Sequence, residues 1–116
     1  MFLNLNHKKL EIYLATRELT KKVYLLSNML PSEEKFNMVQ QVRRAALSVK
    51  LNLAEGSSRK SENDRKRFYE YSIGSVVELD AAFETAVDLN YFQVEDLKDL
   101  GELLNKCFAM LSKLRA

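Results

Sequence analysis

The stretch RRAALSVKLNLAEGSSRK, residues 43–60, decides the fold. Ala46, Val49 and Leu53 recur three and four residues apart, which lines them along one stripe of an α-helix. Upstream, Val39 and Val42 continue the stripe. Ser32 is placed to cap this helix, with Glu33 and Glu34 in a first turn where carboxylates meet the positive end of the helix dipole. Downstream, Gly56 follows Glu55 and is expected to stop the helix in the left-handed conformation open to glycine. A few residues later Ser61 opens another helix, with Asp64 three residues on as a short-acid variant of the capping box. Its inner seam is Phe68, Ser72, Ser75, Leu79, Phe83 and Ala86. Two long amphipathic helices joined by so short a link pack antiparallel.

The same periodicity flanks this hairpin on both sides. Before it, Ile12, Ala15, Leu19, Val23, Leu26 and Leu30 form one stripe that Pro31 ends. After it, Leu97, Leu100, Leu104, Cys107, Leu111 and Leu114 follow a heptad. Helices are expected at about residues 8–29, 33–55, 62–90 and 94–114. The fold class is therefore all-α, an antiparallel up-down-up-down four-helix bundle occupying residues 1–116 as a single domain. Gly74 and Gly101 fall inside helices, where each costs up to about 1 kcal/mol relative to alanine. Close approach of a neighbouring helix is their expected reason.

Composition agrees with this architecture: 47% apolar residues, 29% charged, three Gly and one Pro leave little punctuation for strands. The single cysteine, Cys107, forms no internal disulfide, and MFLNLNHKK lacks the apolar core of a signal peptide, so a cytoplasmic location is expected. No apolar run approaches the ~20 residues that cross a bilayer. Catalytic groups are scarce, because His7 precedes the first helix and Cys107 lies in an apolar seam. Asp80, Glu84 and Asp88 stack on one helical face without the Glu-x-x-His pairs of di-iron bundles. No glycine-rich phosphate loop is present. The expectation is a non-enzymatic protein without metal or cofactor.

Two sets of apolar residues lie off the seams. Leu47 and Leu51 leave the second helix beside Arg43 and Arg44, while Ile73 and Val77 leave the third near Asp80 and Glu84. Apolar patches with oppositely charged rims mark association surfaces. A homo-oligomer closed by the second helix of one subunit against the third of the next is expected, with Leu47, Leu51, Ile73, Val77, Asp80 and Glu84 at the interface.

The net charge of +2 is unevenly spread, with +3 over residues 1–30 and −2 over residues 59–90. Arg59, Lys60, Arg65, Lys66 and Arg67 surround the start of the third helix, where backbone N–H groups also favour phosphate. On the first helix Tyr13, Arg17, Lys21 and Tyr24 share a side, alternating cations with rings on which a base could stack. The candidate nucleic-acid-binding residues are Arg17, Arg43, Arg44, Arg59, Lys60 and Lys66, acting on RNA or DNA through phosphate contacts. The alternative is a protein–protein adaptor ring with no direct nucleic-acid role.

Residues 40–92, with VRRAA at 42–46, the Asn52, Ala54, Glu55, Gly56 motif, RF at 67–68, GS at 74–75 and EL at 78–79, resemble the bacterial family of 23S rRNA intervening-sequence (S23) proteins. IY at 12–13, VY at 23–24 and LPSEE at 30–34 extend the resemblance over nearly the whole chain. Lys50 stands where family members often carry a proline. The resemblance implies a four-helix bundle able to assemble as a homopentameric ring. It also implies proximity to nucleic acid: relatives are encoded within insertions in ribosomal RNA genes, and the related accessory protein of diversity-generating retroelements binds a reverse transcriptase and nucleic acid.

Overall fold

The computed structural model describes residues 1–116 as four helices and no strand. They are α1 (Glu11–Ser27), α2 (Met38–Ser58), α3 (Glu62–Asp88) and α4 (Lys98–Arg115), with short 3-10 turns at Asn6–Lys9, Ser32–Glu34 and Val94–Leu97. Each helix packs on its sequence neighbours, and α1 also packs on α4. Cross-links at both ends fix the antiparallel order. Arg43 Nε donates to Ser27 Oγ at 2.8 Å where α1 gives way to α2, and Tyr91 donates to Glu34 Oε2 at 2.8 Å. At the opposite end Lys106 pairs with Glu11 at 2.9 Å and Arg115 with Glu70 at 3.3 Å.

The apolar stripes of the sequence become one core. Ile12, Ala15, Leu19, Val23, Leu26 and Leu30 are all buried, as are Val42, Ala46, Val49 and Leu53 of α2 and Leu100, Leu104, Cys107 and Leu111 of α4. Burial of this kind stabilises by roughly 25 cal/mol per Å² of apolar surface removed from water. Helix α3 buries a wider face than its sequence seam indicates, adding Tyr69, Ile73 and Val76 to Ser72, Ser75, Leu79, Phe83 and Ala86, while Phe68, expected in that seam, is only half-buried. Ile73 is only 6% exposed and belongs to the core, contrary to its expected place on the outside. The reason is that α3 contacts α2 and α4 together, so its apolar arc must span two neighbours.

Helix ends differ from expectation: α1 begins at Glu11 and α4 at Lys98, each after a 3-10 turn, and three local signals act otherwise than expected. The segment after Pro31 forms a 3-10 turn, and α2 begins only at Met38, with no side-chain cap from Ser32. Gly56 does not stop α2, which runs on to Ser58, and no glycine has positive φ. The left-handed stop belongs to Asn90 instead, at φ 65°, where the N–H of Tyr91 reaches Ala86 O and that of Asn90 reaches Val87 O, both at 2.9 Å. This paired closure of the last turn ends α3. At its start the Ser61 side chain accepts from the Asp64 N–H at 3.0 Å, which is the serine half of the expected capping box without the reciprocal Asp64 contact.

Gly56 is needed for space. A Cβ there would lie 2.9 Å from Phe68 Cβ and 2.9 Å from Tyr69 Cε1 of α3, too close for either atom to move aside cheaply. Gly74 and Gly101, expected at close approaches, would instead place a Cβ in open space. Gly56→Ala is accordingly expected to destabilise the fold by about 1–3 kcal/mol through overpacking. Gly74→Ala should stabilise it by up to about 1 kcal/mol through helix propensity. Chemical denaturation of the two variants beside the parent protein gives both signs.

Candidate nucleic-acid interface

Antiparallel packing turns a scattered charge pattern into a polar molecule. Cutting each helix at its midpoint, one end of the bundle gathers residues 1–19, 48–75 and 107–116, with eleven Lys/Arg against six Asp/Glu, a formal +5. The other end carries seven against ten, a formal −3. The basic end combines the starts of α1 and α3 with the ends of α2 and α4.

Within that end most cations of the 59–67 cluster are engaged. Arg59 pairs with Glu55 and lies over the Phe68 ring, Lys66 pairs with Glu62 at 3.3 Å, and Arg67 with Asp64 at 3.6 Å. Arg65 Nη1 donates to the carbonyls of Arg59 and Lys60 at 3.1 and 2.7 Å, which ties down the α2–α3 link. Lys60 alone is exposed without a partner. The start of α3 is not an open phosphate site, since Ser61 caps it and Glu62 and Asp64 fill its first turn. Exposed ion pairs are worth only ~0–1 kcal/mol, so Arg59 and Lys66 can still exchange a carboxylate for a phosphate.

The α1 rings are not free stacking platforms. Arg43 Cζ lies 4.9 Å from the Tyr24 ring centroid and Lys50 Nζ 5.7 Å from that of Tyr13, so cations of α2 cover both. Arg43 also donates to Ser27 Oγ and, at 2.7 Å, to Asn28 Oδ1. It ties α1 to α2 and is half-buried, so of the two arginines expected at the nucleic-acid surface it is the less free. Lys21 is held by Glu18 at 3.3 Å. Arg44, by contrast, is exposed without a carboxylate partner.

Arg17 shares a cleft of ≈ 400 Å³ with Met1, Leu3, Lys8, Tyr13 and Lys50. Lys8 and Lys50 were not candidates from sequence, because nothing in a linear pattern brings residues 8, 17 and 50 together.

The residues expected at an association surface fall on two surfaces, apart from Ile73 in the core. On α2, Leu47 and Leu51 are 38% and 60% exposed, next to Arg44. On the other side of the molecule Val77, 51% exposed, borders a groove between α3 and α4 made of adjoining cavities of ≈ 460 and 280 Å³. Gly101 and Leu104 belong to both cavities, exposed Phe108 stands at one end, and Asp80 and Glu84, neither of them ion-paired, border the groove. Phe108 takes the outward place that the sequence reading gave Ile73; it sits one residue past Cys107 on the edge of the α4 seam.

No group of three or more His, Cys, Asp or Glu side chains converges in the way a metal site requires, and the Asp80, Glu84, Asp88 stripe forms no such group. Burial pushes the Cys107 thiol up to about 11, which keeps it protonated and poorly nucleophilic near neutral pH. His7 packs edge-on against Tyr13 with ring centroids 5.1 Å apart, and burial, then the Lys8 charge, lowers its pKa. No helix is long and apolar enough to cross a membrane.

The family model of 23S rRNA-intervening sequence proteins matches residues 8–113. A crystal structure from Bacteroides thetaiotaomicron, of a protein with unknown function from the S23 ribosomal protein family, is similar in fold, with a TM-score of 0.82 at 18% identity over 90% of this chain and 97% of that one. No curated protein matches the chain.

Arg43→Ala removes two hydrogen bonds and a ring contact. It is expected to lower stability by about 1–3 kcal/mol while leaving the salt dependence of any nucleic-acid binding unchanged. A denaturation curve and a binding isotherm on the same variant separate the two effects.

Proposed function

The chain belongs to the 23S rRNA-intervening sequence protein family, and we propose that it is a non-enzymatic, cytoplasmic homo-oligomer that binds structured RNA or DNA through the basic end of its bundle. The observation that carries the reading is the segregation of charge, +5 at one end against −3 at the other, with Arg17 and Lys60 at the basic end free of carboxylates. Phosphate contacts from such a surface bind without much sequence readout, and each contact releases counterions. Arg59, Lys60, Lys66 and Arg17 would hold the backbone.

Assembly draws support from the two uncovered apolar surfaces. The apolar pair Leu47 and Leu51 beside Arg44 has the apolar character and charge sign to meet the α3–α4 groove at Val77, Gly101 and Phe108, where Asp80 and Glu84 carry no ion pair. Pair and groove lie on different faces of one chain, so their contact is head-to-tail and closes into a ring at a suitable rotation, a pentamer being the size the family resemblance implies. Repetition around an axis would multiply the basic end. The same groove supports the adaptor reading, in which the ring docks a protein partner such as a reverse transcriptase. A partner captured after nuclease treatment, with no affinity for bare nucleic acid, would select that reading.

Binding to a structured RNA is expected to weaken steeply with salt, with log K falling roughly in proportion to the number of phosphates contacted. Lys60→Glu should weaken it further and flatten that slope by about one unit or more. Filter binding across a salt series measures both, and salt-independent or absent binding refutes the reading. Arg44→Glu and Glu84→Arg, made singly, should each dissociate the oligomer, and the double exchange should restore it; sedimentation velocity reports the outcome.

A further inference from the structure

We infer that the cleft between the start of α1 and the C-terminal half of α2 is a binding site for a single phosphate group, with Lys8, Arg17 and Lys50 as its ligands. The site deepens the nucleic-acid reading and rests on it for the source of the phosphate. Its lining holds three cations and no carboxylate, in a space of ≈ 400 Å³. None of the three takes part in an ion pair, whereas Arg59, Lys66 and Arg67 at the same end each have one. Like charges gathered in one cleft repel, and an anion that bridges them relieves that repulsion.

The cations are also held in place. Lys50 Nζ rests over the Tyr13 ring, which His7 braces from the side. Lys8 Nζ donates to Leu3 O at 2.7 Å and has the Met1 amine as a second partner, which leaves one N–H for a ligand. The pKa of the Met1 amine is lowered, first by its hydrogen bond with Lys8, then by desolvation and by the charges of Lys8, Arg17 and Lys50. All three charges therefore act on one point in space. Three separate donors around a cleft suit the tetrahedrally disposed oxygens of a phosphate better than the flat carboxylate, and the double charge of a terminal monoester better than the single charge of a diester. A nucleobase stacking on the Tyr13 face beneath Lys50 would have to displace that cation.

The first test uses inorganic pyrophosphate, which removes nucleic acid from the question. Titrated into the full chain at low salt, it should shift the backbone amide resonances of Lys8, Arg17 and Lys50 saturably. Lys50→Gln and Arg17→Gln should each weaken binding about tenfold, the loss of one charge-assisted contact, while Lys113→Gln, an exposed cation outside the cleft, leaves it unchanged. Lys50→Arg, which keeps the charge, should retain binding and controls for folding. Shifts scattered over all surface cations, or affinity equal in Lys50→Gln and the parent, overturn the site. The second test compares one oligonucleotide carrying a 5′-phosphate with its 5′-hydroxyl form. Preference for the phosphorylated end identifies a terminal monoester as ligand, and equal binding that Lys50→Gln weakens in both identifies an internal diester. If Lys50→Gln weakens pyrophosphate binding but neither oligonucleotide, the phosphate site stands and its ligand is a free phosphate compound, while the nucleic-acid source fails.

Discussion

Helices α2 and α3 approach each other through a seam of small and hydroxyl-bearing residues, and the rest of the bundle is arranged around that contact. Gly56 admits Phe68 and Tyr69, Ser72 Oγ donates to the Val49 carbonyl at 2.6 Å, and Ser75 Oγ meets Ser48 Oγ at 2.8 Å. Ser72 is fully buried, so its hydroxyl needs that carbonyl; a buried polar group left unpaired costs roughly 1–3 kcal/mol. Hydrogen bonds and a missing side chain thus fix both the spacing and the register of the central hairpin. With that register set, the short links carry α1 and α4 to the flanks. The N-terminal turn of α3 and the last turn of α2 then come to the same end of the molecule.

That placement gathers the charge. Cations from residues 8–17, 50–67 and 113–115 are distant along the chain and meet only because α1 and α3 start where α2 and α4 finish. Lys60 is left free because its neighbours answer one another: Arg59 with Glu55, Lys66 with Glu62, Arg67 with Asp64. Opposite them, the acidic residues of late α3 border a groove that Gly101 lines without a side chain.

The fold was legible in the sequence because the α1 and α4 stripes are each narrow and regular: every apolar residue assigned to the α1 seam is buried, and the centre of the α4 heptad is too. Helix α3 was read less well, since its arc faces two neighbours and a single stripe cannot describe it; Ile73 was misplaced for that reason. Helix ends were misread where local signals are ambiguous. A glycine marks either a left-handed turn or a lack of room, and Gly56 is the second, while Asn90 supplied the turn. The candidate site was legible only as a list of cations. Sequence spacing places Arg43 and Arg44 side by side, but the bundle hands one to Ser27 and Asn28 and leaves the other free. Lys8 and Lys50 escaped notice because their proximity to Arg17 is created by tertiary packing alone.

The separation of charge along a body 44 Å long also makes the molecule a strong electric dipole. Antiparallel helices largely cancel their backbone dipoles, so the moment comes from side chains. At physiological ionic strength fields fade over about 8 Å, and a polyanion meeting the basic end is therefore screened from the acidic one. A tumbling subunit near such a surface would be turned basic end foremost before any contact forms. The acidic end would face away from such a surface.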